Sequence, residues 1–416
     1  MTTTLLRNGT ILDGTGAEPL ADGGILLRDG RIAAVGSLAD LSVPDGTAEL
    51  DVQGGYIMPG LIDTHVHMMV EGMDVNAHLT RPFSYNFYRA IGFLRNTLEC
   101  GITSVRDAGG TDVGVKQAVE DGIIAGPRMQ VSTGVMGITG GHGDSWHLSG
   151  ITVPLWPEYP GMPDGIADGV EGVRKKVREI LRAGAEVVKV CSTGGVLSPT
   201  DHPEFTQYTI EELQVIVQEA HFRRGLRVMA HAQGSEGIKN AIRAGIHSIE
   251  HAMFVDDEVI ELALANGTFF VPTLLAPLAV IEQAAATGAM PEYGLRKARE
   301  TIDIHRESIA KAYKAGVRIA MGTDAGVMPH GTNLRELGLM VDVGMTPMDT
   351  IVATTKVAAE CMGWEDRVGT LEVGKLADVT VSAVDPLTRI HDLADVGNIA
   401  LVLKGGEVVI DRRATS

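Results

Sequence analysis

Between Gly60 and Val70 the chain reads GLIDTHVHMMV, which sets His65 and His67 one residue apart inside an apolar run. Successive side chains of a strand alternate faces, so the two imidazoles share one face and form a chelating pair while Thr64 and Val66 take the other. Comparable residues close later apolar runs: Lys189 in VVKVCSTGG, His231 in MAHAQG, His251 in SIEHAM and Asp324 in MGTDAG. Each alone has a structural reading, because a histidine can be a satisfied core residue, an aspartate before Ala-Gly a helix cap, and a strand-end lysine a snorkelling one. Together, imidazole nitrogen and carboxylate oxygen suit zinc and neighbouring divalent transition ions. Lys189 fits less easily, since an ammonium among valines beside dications costs several kcal/mol unless it loses its proton or is modified.

These residues need elements that bring them to one place. Through about Met58 the chain reads as short strands broken by turn signals, with Asn8-Gly9 and Asp29-Gly30 as hairpin turns because both pairs tolerate positive φ. The C-terminal stretch repeats that style in GTLEVGKLADVTVSAV and NIALVLKGGEVVID, so residues 1–58 and 362–416 are expected to form one small composite β-sandwich. Between them apolar strands alternate with amphipathic helices, the pattern of parallel βαβ units. In GVEGVRKKVREILRAG, Val170, Val173, Val177, Ile180 and Leu181 recur at helical spacing and Gly184 ends the helix; Thr209 and Glu212 fit a capping box opening the next one. Eight candidate strands, from LIDTHVH to VRIAMGTDAG, predict a (β/α)8 barrel over 59–361, whose working residues belong at the C-terminal strand ends. The longest irregular stretch, residues 137–165, carries two histidines and two tryptophans and is expected to cover the barrel mouth.

A formal net charge of −18 opposes binding to nucleic-acid phosphates or anionic lipid, which leaves a small molecule as the expected partner. Cys100, Cys191 and Cys361 are widely spaced and odd in number, which argues against a disulfide framework or a cysteine zinc cluster. Neither a signal-peptide pattern nor a run of about 20 apolar residues is present, so the expected location is cytoplasmic.

From GLIDTHVH through Lys189, AHA, IEHA and GTDAG to GTLEVGKLADVTV, the whole chain resembles the metal-dependent amidohydrolase superfamily, in particular its imidazolonepropionase-like and Xaa-Pro dipeptidase-like branch. The resemblance implies that His65, His67 and Asp324 hold one divalent metal ion, zinc by expectation, that His231 and His251 hold a second, and that Lys189, carboxylated by carbon dioxide, bridges them. Imidazolonepropionases and many deaminases use one metal and lack the strand-four lysine, so Lys189 points to the binuclear, peptidase-like group. The implied reaction is hydrolysis of an amide bond in a dipeptide or N-acyl amino acid by a hydroxide shared between the metals, with Asp324 as proton shuttle. A cyclic amide, a carbamate or an aromatic amide would suit the same machinery. A non-catalytic scaffold would be expected to have lost ligands that this chain retains. On the substrate side, His142 in GGHGD, Tyr208 in FTQYTIEEL and His330 in MPHGTN are expected on mouth loops, and Arg106 in SVRDAGG is a candidate partner for a substrate carboxylate, with a structural salt bridge as its other reading. Relatives are often homo-oligomers, and the resemblance extends that expectation to this chain.

Overall fold

A computed structural model describes residues 3–72, 79–154, 158–223, 225–288 and 290–413. Its strands are β1 (Thr3–Ile11), β2 (Leu20–Arg28), β3 (Arg31–Ser37), β4 (Ala48–Asp51), β5 (Tyr56–Pro59), β6 (Leu61–Val66), β7 (Ile102–Asp107), β8 (Arg128–Val131), β9 (Val135–Met136), β10 (Val188–Cys191), β11 (Val228–Ala232), β12 (Ser248–His251), β13 (Phe269–Val271), β14 (Val379–Ser382), β15 (Ile399–Lys404) and β16 (Glu407–Asp411). Strands from both ends of the chain form one sheet in the order β16-β15-β14-β5-β1-β2-β3, with β4 also paired to β1. The join is β5 against β14, antiparallel. Leu6, Ile25, Ile57, Val379, Val381 and Leu401 bury a core of their own there.

Asp29 and Gly30, both at positive φ, make the tight turn between β2 and β3. Asn8-Gly9 does not turn the chain. Asn8 takes φ 62 inside β1, where the β1–β2 register shifts, and its carbonyl accepts from Gly54 N at 2.7 Å. The positive φ serves a bulge, and a Cβ on Gly9 would stand 2.5 Å from Val52 Cγ2.

The middle of the chain is α/β. Strands β6, β7 and β8 form one parallel sheet, and β9 to β13 form another in sequence order. The expected third strand is therefore shared between the two sheets, interrupted near Thr133, a β-branched residue at φ 60. Helices cover the strands through the stripes read in the sequence. The helix Gly169–Arg182 buries Val173, Val177, Ile180 and Leu181, and Gly184 follows it at φ 99. Thr209 and Glu212 form the capping box of the helix Ile210–Phe222.

The expected eighth strand, VRIAMGTDAG, is not a regular strand but touches both sheets. Ile319 bridges Phe270 of β13 and Ala325 bridges Val66 of β6, both in parallel sense. Side chains stand in for the missing ladder: Asp63 accepts from Thr323 N at 3.1 Å, from Thr323 Oγ1 at 2.6 Å and from Asn333 Nδ2 at 2.8 Å. Cys100, Cys191 and Cys361 are free and buried, and among the described residues no helix is long and apolar enough to cross a membrane.

Candidate active site

Parallel register carries the sequence-predicted residues to one end of the strands. Cys191 pairs with His231 across β10 and β11, and Ala232 pairs with His251 across β11 and β12. His65, His67, Lys189, His231, His251 and Asp324 all line one cavity of about 440 Å³. Ligand atoms of His65, His251 and Asp324 lie within 4.8 Å of one another. His67 Nε2 is 3.2 Å and His65 Nε2 3.5 Å from Asp324 Oδ1, while Lys189 Nζ is 3.3 Å from His65 Nε2.

Each ring has one nitrogen occupied from behind. His65 Nδ1 donates to Glu250 Oε2 at 2.7 Å, His67 Nδ1 to the Gly109 carbonyl at 2.8 Å and His231 Nε2 to the Gly194 carbonyl at 3.0 Å; His251 Nδ1 shares a 2.7 Å hydrogen bond with Thr273 Oγ1. Because carbonyls and carboxylates only accept, the first three contacts place a proton on the nitrogen behind the ring, and in His65 and His231 they leave the opposite nitrogen as the lone-pair side. Burial drives His65, His231 and His251 well below the ordinary imidazole range, so they are neutral donors. Burial likewise lowers Lys189. For Asp324 burial works the other way, but His67, His65 and Lys189 outweigh it and hold the carboxyl below its usual range. His67 is raised, since its contact with Asp324 overcomes burial. His251 (φ 74), Ala252 (φ 50), Thr273 (φ 50) and Asp324 (φ 64) adopt the left-handed backbone that such residues normally avoid, and all belong to this site.

The support behind the site is charged and buried. Glu250 also receives Arg106 Nη2 at 3.0 Å and Ser248 Oγ at 2.6 Å. Arg106 spends its other donors on the Thr64 carbonyl at 2.7 Å and on Ser248 Oγ at 3.0 Å. It is fully buried and absent from the cavity lining, so its salt-bridge reading holds and its assignment to a substrate carboxylate is corrected. The lining residues described include no arginine, and Lys189 is their single lysine.

Of the loop residues, His142 lines the cavity, stacked on His231 with centroids 4.1 Å apart. Its Nδ1 lies 2.8 Å from Ser198 Oγ, which is hydrogen-bonded to Asp201. Tyr208 and His330 do not reach the lining. Tyr208 is buried in the main core, and His330 is buried against Phe93 with Nε2 donating to the Val70 carbonyl at 2.9 Å. The long loop contributes Asp144, Ser145, Thr152 and Asp164 to the cavity wall; residues 155–157, with Trp156, lie outside the described residues.

Sequence reasoning missed Glu250, Thr273, Gln233 and the Ser198–Asp201–Lys297 group. A carboxylate directly before His251 in the short strand SIEH was a usable signal for Glu250. Lys297 offered none, because it reaches the site from a distant helix.

The chain matches the amidohydrolase family over residues 56–409. It is 36% identical over 427 residues to an ochratoxinase of Aspergillus niger, with 97% of this chain and 86% of that protein covered. Among solved structures, it is similar to a Xaa-Pro dipeptidase with bound methionine in its active site (32% identity, TM-score 0.88, 98% and 99% of the two chains covered). A prolidase complexed with N-methylphosphonate-L-proline shares 33% identity with a TM-score of 0.89, again over 98% and 99% of the chains.

Proposed function

The chain belongs to the amidohydrolase family, and from that premise we propose that this amide-bond hydrolase cleaves a dipeptide or N-acyl amino acid with the help of two divalent metal ions, zinc first among them. On this reading residues 59–361 form a closed (β/α)8 barrel and residues 1–58 and 362–416 a composite β-sandwich. The observation that carries it is the convergence of His65, His251 and Asp324 beside buried Lys189.

The donor set fits such ions: His65, His231 and His251 kept neutral by burial, His67 beside them, and a carboxylate held below its usual range. His65, His67 and Asp324 would hold one ion, His231 and His251 the other, and the low-pKa amine of Lys189, as a carbamate, would link them. When bound, the ions polarise a carbonyl and bring the pKa of water to about 7. Asp324 accepts the proton that the attacking water gives up and delivers it to the leaving nitrogen. Glu250 keeps the His65 ring in its working tautomer, and His142 orients the scissile carbonyl from the cavity wall. Val196, Leu197, Met253, Pro277, Val280 and Val327 form an apolar wall that would take an apolar side group of the substrate. That wall, with the ochratoxinase relative, favours an aromatic amide as a second substrate reading.

The test is metal content and turnover of the native protein and Lys189→Ala, assayed on a panel of dipeptides and N-acyl amino acids with apolar side chains. The native protein is expected to hold two ions and hydrolyse members of the panel. Lys189→Ala is expected to lose most turnover and part of its metal, with partial rescue by short carboxylic acids. Activity confined to lactones or deaminations would overturn the substrate class, and full metal with normal turnover in Lys189→Ala would overturn the carbamate.

A further inference from the structure

Gln233 stands two residues beyond His231, past the end of β11, and lines the cavity. Its backbone is pinned on both sides: Gln233 N donates to Thr193 Oγ1 at 2.9 Å, and its carbonyl accepts from Phe254 N at 2.9 Å. The next residue, Gly234, is wedged so tightly that a Cβ would stand 2.6 Å from Glu204 Cα. The side chain therefore starts from a fixed point at the lining of the cavity. Gln233 is 3% exposed, and its Oε1 is shielded from water without a hydrogen-bond partner among the described residues. A buried, unmatched amide oxygen is costly and uncommon in a folded protein, and at the wall of a ligand cavity it marks a place where a ligand donor belongs.

Resting on the amide-hydrolase reading above, we propose that Gln233 Oε1 accepts the N–H of the scissile amide and makes the enzyme selective for secondary amides, which carry that hydrogen, over tertiary amides such as acyl-proline or N-methyl amides, which do not. The cavity provides the rest of the logic. The proton from Asp324 must reach the leaving nitrogen, and a hydrogen bond to that nitrogen fixes the rotation of the amide in the cavity. A tertiary amide loses this hydrogen bond and leaves Oε1 buried and unmatched, which costs roughly tenfold to a hundredfold in kcat/KM. Gln233 is on this account a specificity-determining residue whose partner is one hydrogen atom of the substrate.

The experiment is a double-mutant cycle between enzyme and substrate. The best N-acyl amino acid of the panel and its N-methyl counterpart are compared in the native enzyme and in Gln233→Met, which removes the acceptor at similar volume; Gln233→Leu serves if the first variant folds poorly, as judged by thermal unfolding and metal content. The expected result is an N-methylation penalty of at least about tenfold in the native enzyme that shrinks by about tenfold in the variant. An equal penalty in both enzymes would overturn the assignment, because a merely structural role for Gln233 lowers both substrates alike. Native turnover of the N-methyl substrate as fast as its parent would overturn it without any variant. No turnover of any panel member by the metal-loaded native enzyme would instead overturn the amide-hydrolase reading, and this proposal with it.

Discussion

The two flanks of the site are held by different physics. On the β6 and β12 side, His65 leans on Glu250, which is itself paired with Arg106 and hydrogen-bonded by Ser248, all of them buried. On the His231 side the partners are the carbonyl of Gly194 and, for the stacked His142, Ser198 and Asp201 on the segment after β10. That segment is fastened by one cation, Lys297, whose Nζ donates to the carbonyls of Gly195 and Ser198 at 2.8 Å and of Asp201 at 2.7 Å. The first flank is built inside the strands, where register alone fixes distance. The second is built on a loop, where a change in the clamp can move the rings without disturbing the strands. One flank thus rests on a buried ion pair and the other on backbone carbonyls gathered by a single ammonium.

The largest expected effect falls between the flanks, on Asp324. Asp324→Asn should cut kcat by about 10²–10⁴, the usual contribution of general acid–base catalysis, because an amide cannot take up and release the proton. Affinity for substrate should change less, and much of the metal should remain, since the amide oxygen can still coordinate. Steady-state kinetics with metal analysis of the variant checks this. Near-native kcat with full metal would remove Asp324 from the proton transfer and leave His142 as the next candidate.

The charged flank is tested by unequal substitutions on two rings. Glu250→Gln leaves Arg106 without its buried counter-ion and should cost about 3–5 kcal/mol of stability, with about 100-fold weaker metal binding. Thr273→Val removes only a neutral hydroxyl behind His251 and should weaken metal by about tenfold with a small stability change. Metal titration and denaturant unfolding of the two variants measure the difference. Equal losses would mean that charge adds nothing to the first flank.

These same features mark where the sequence was legible. Alternation and helical spacing read out most strands of the parallel sheets, and the six candidate metal-site residues that line the cavity all lay in or at the end of strand-like runs. What depends on a distant partner was hidden. The segment VRIAMGTDAG looks like a strand in composition, yet Thr323 is held by Asp63 and Asn333, a contact that no local pattern announces. Arg106 looked like a mouth residue because its run ends in Asp107-Ala-Gly-Gly, but pairing across β7 and β8 aligns it with Gln130 inside the sheet, deep enough to meet Glu250. Asn8-Gly9 gave the right backbone preference and the wrong use, since a bulge and a hairpin both need positive φ.

The smallest effect on metal, and the sharpest separation of the flanks, is expected at Lys297. Its ammonium is buried and its pKa is lowered by that burial, yet the carbonyls around it have no other cation to turn to in the described loop, so it acts as a staple. The staple holds Gly195 where the His142 ring lies against it, so closely that a Cβ would come within 2.2 Å of His142 Cε1. Lys297→Met keeps the length and the apolar stem but removes the donor, so the segment should relax and carry Ser198 and the His142 ring away from the cavity wall. Because the partners described for His65 and Asp324, Glu250 and the imidazoles of His65 and His67, lie outside this segment, an ion held there should remain. The expected outcome is a KM raised by about tenfold with kcat reduced less, and a metal loss well below that of Glu250→Gln, confined to the ion that His231 would hold through its Gly194 contact. Kinetics and metal analysis of the purified variant decide it: a loss of metal as large as that of Glu250→Gln would show that the two flanks are one rigid unit and that the loop serves the ions as much as the substrate.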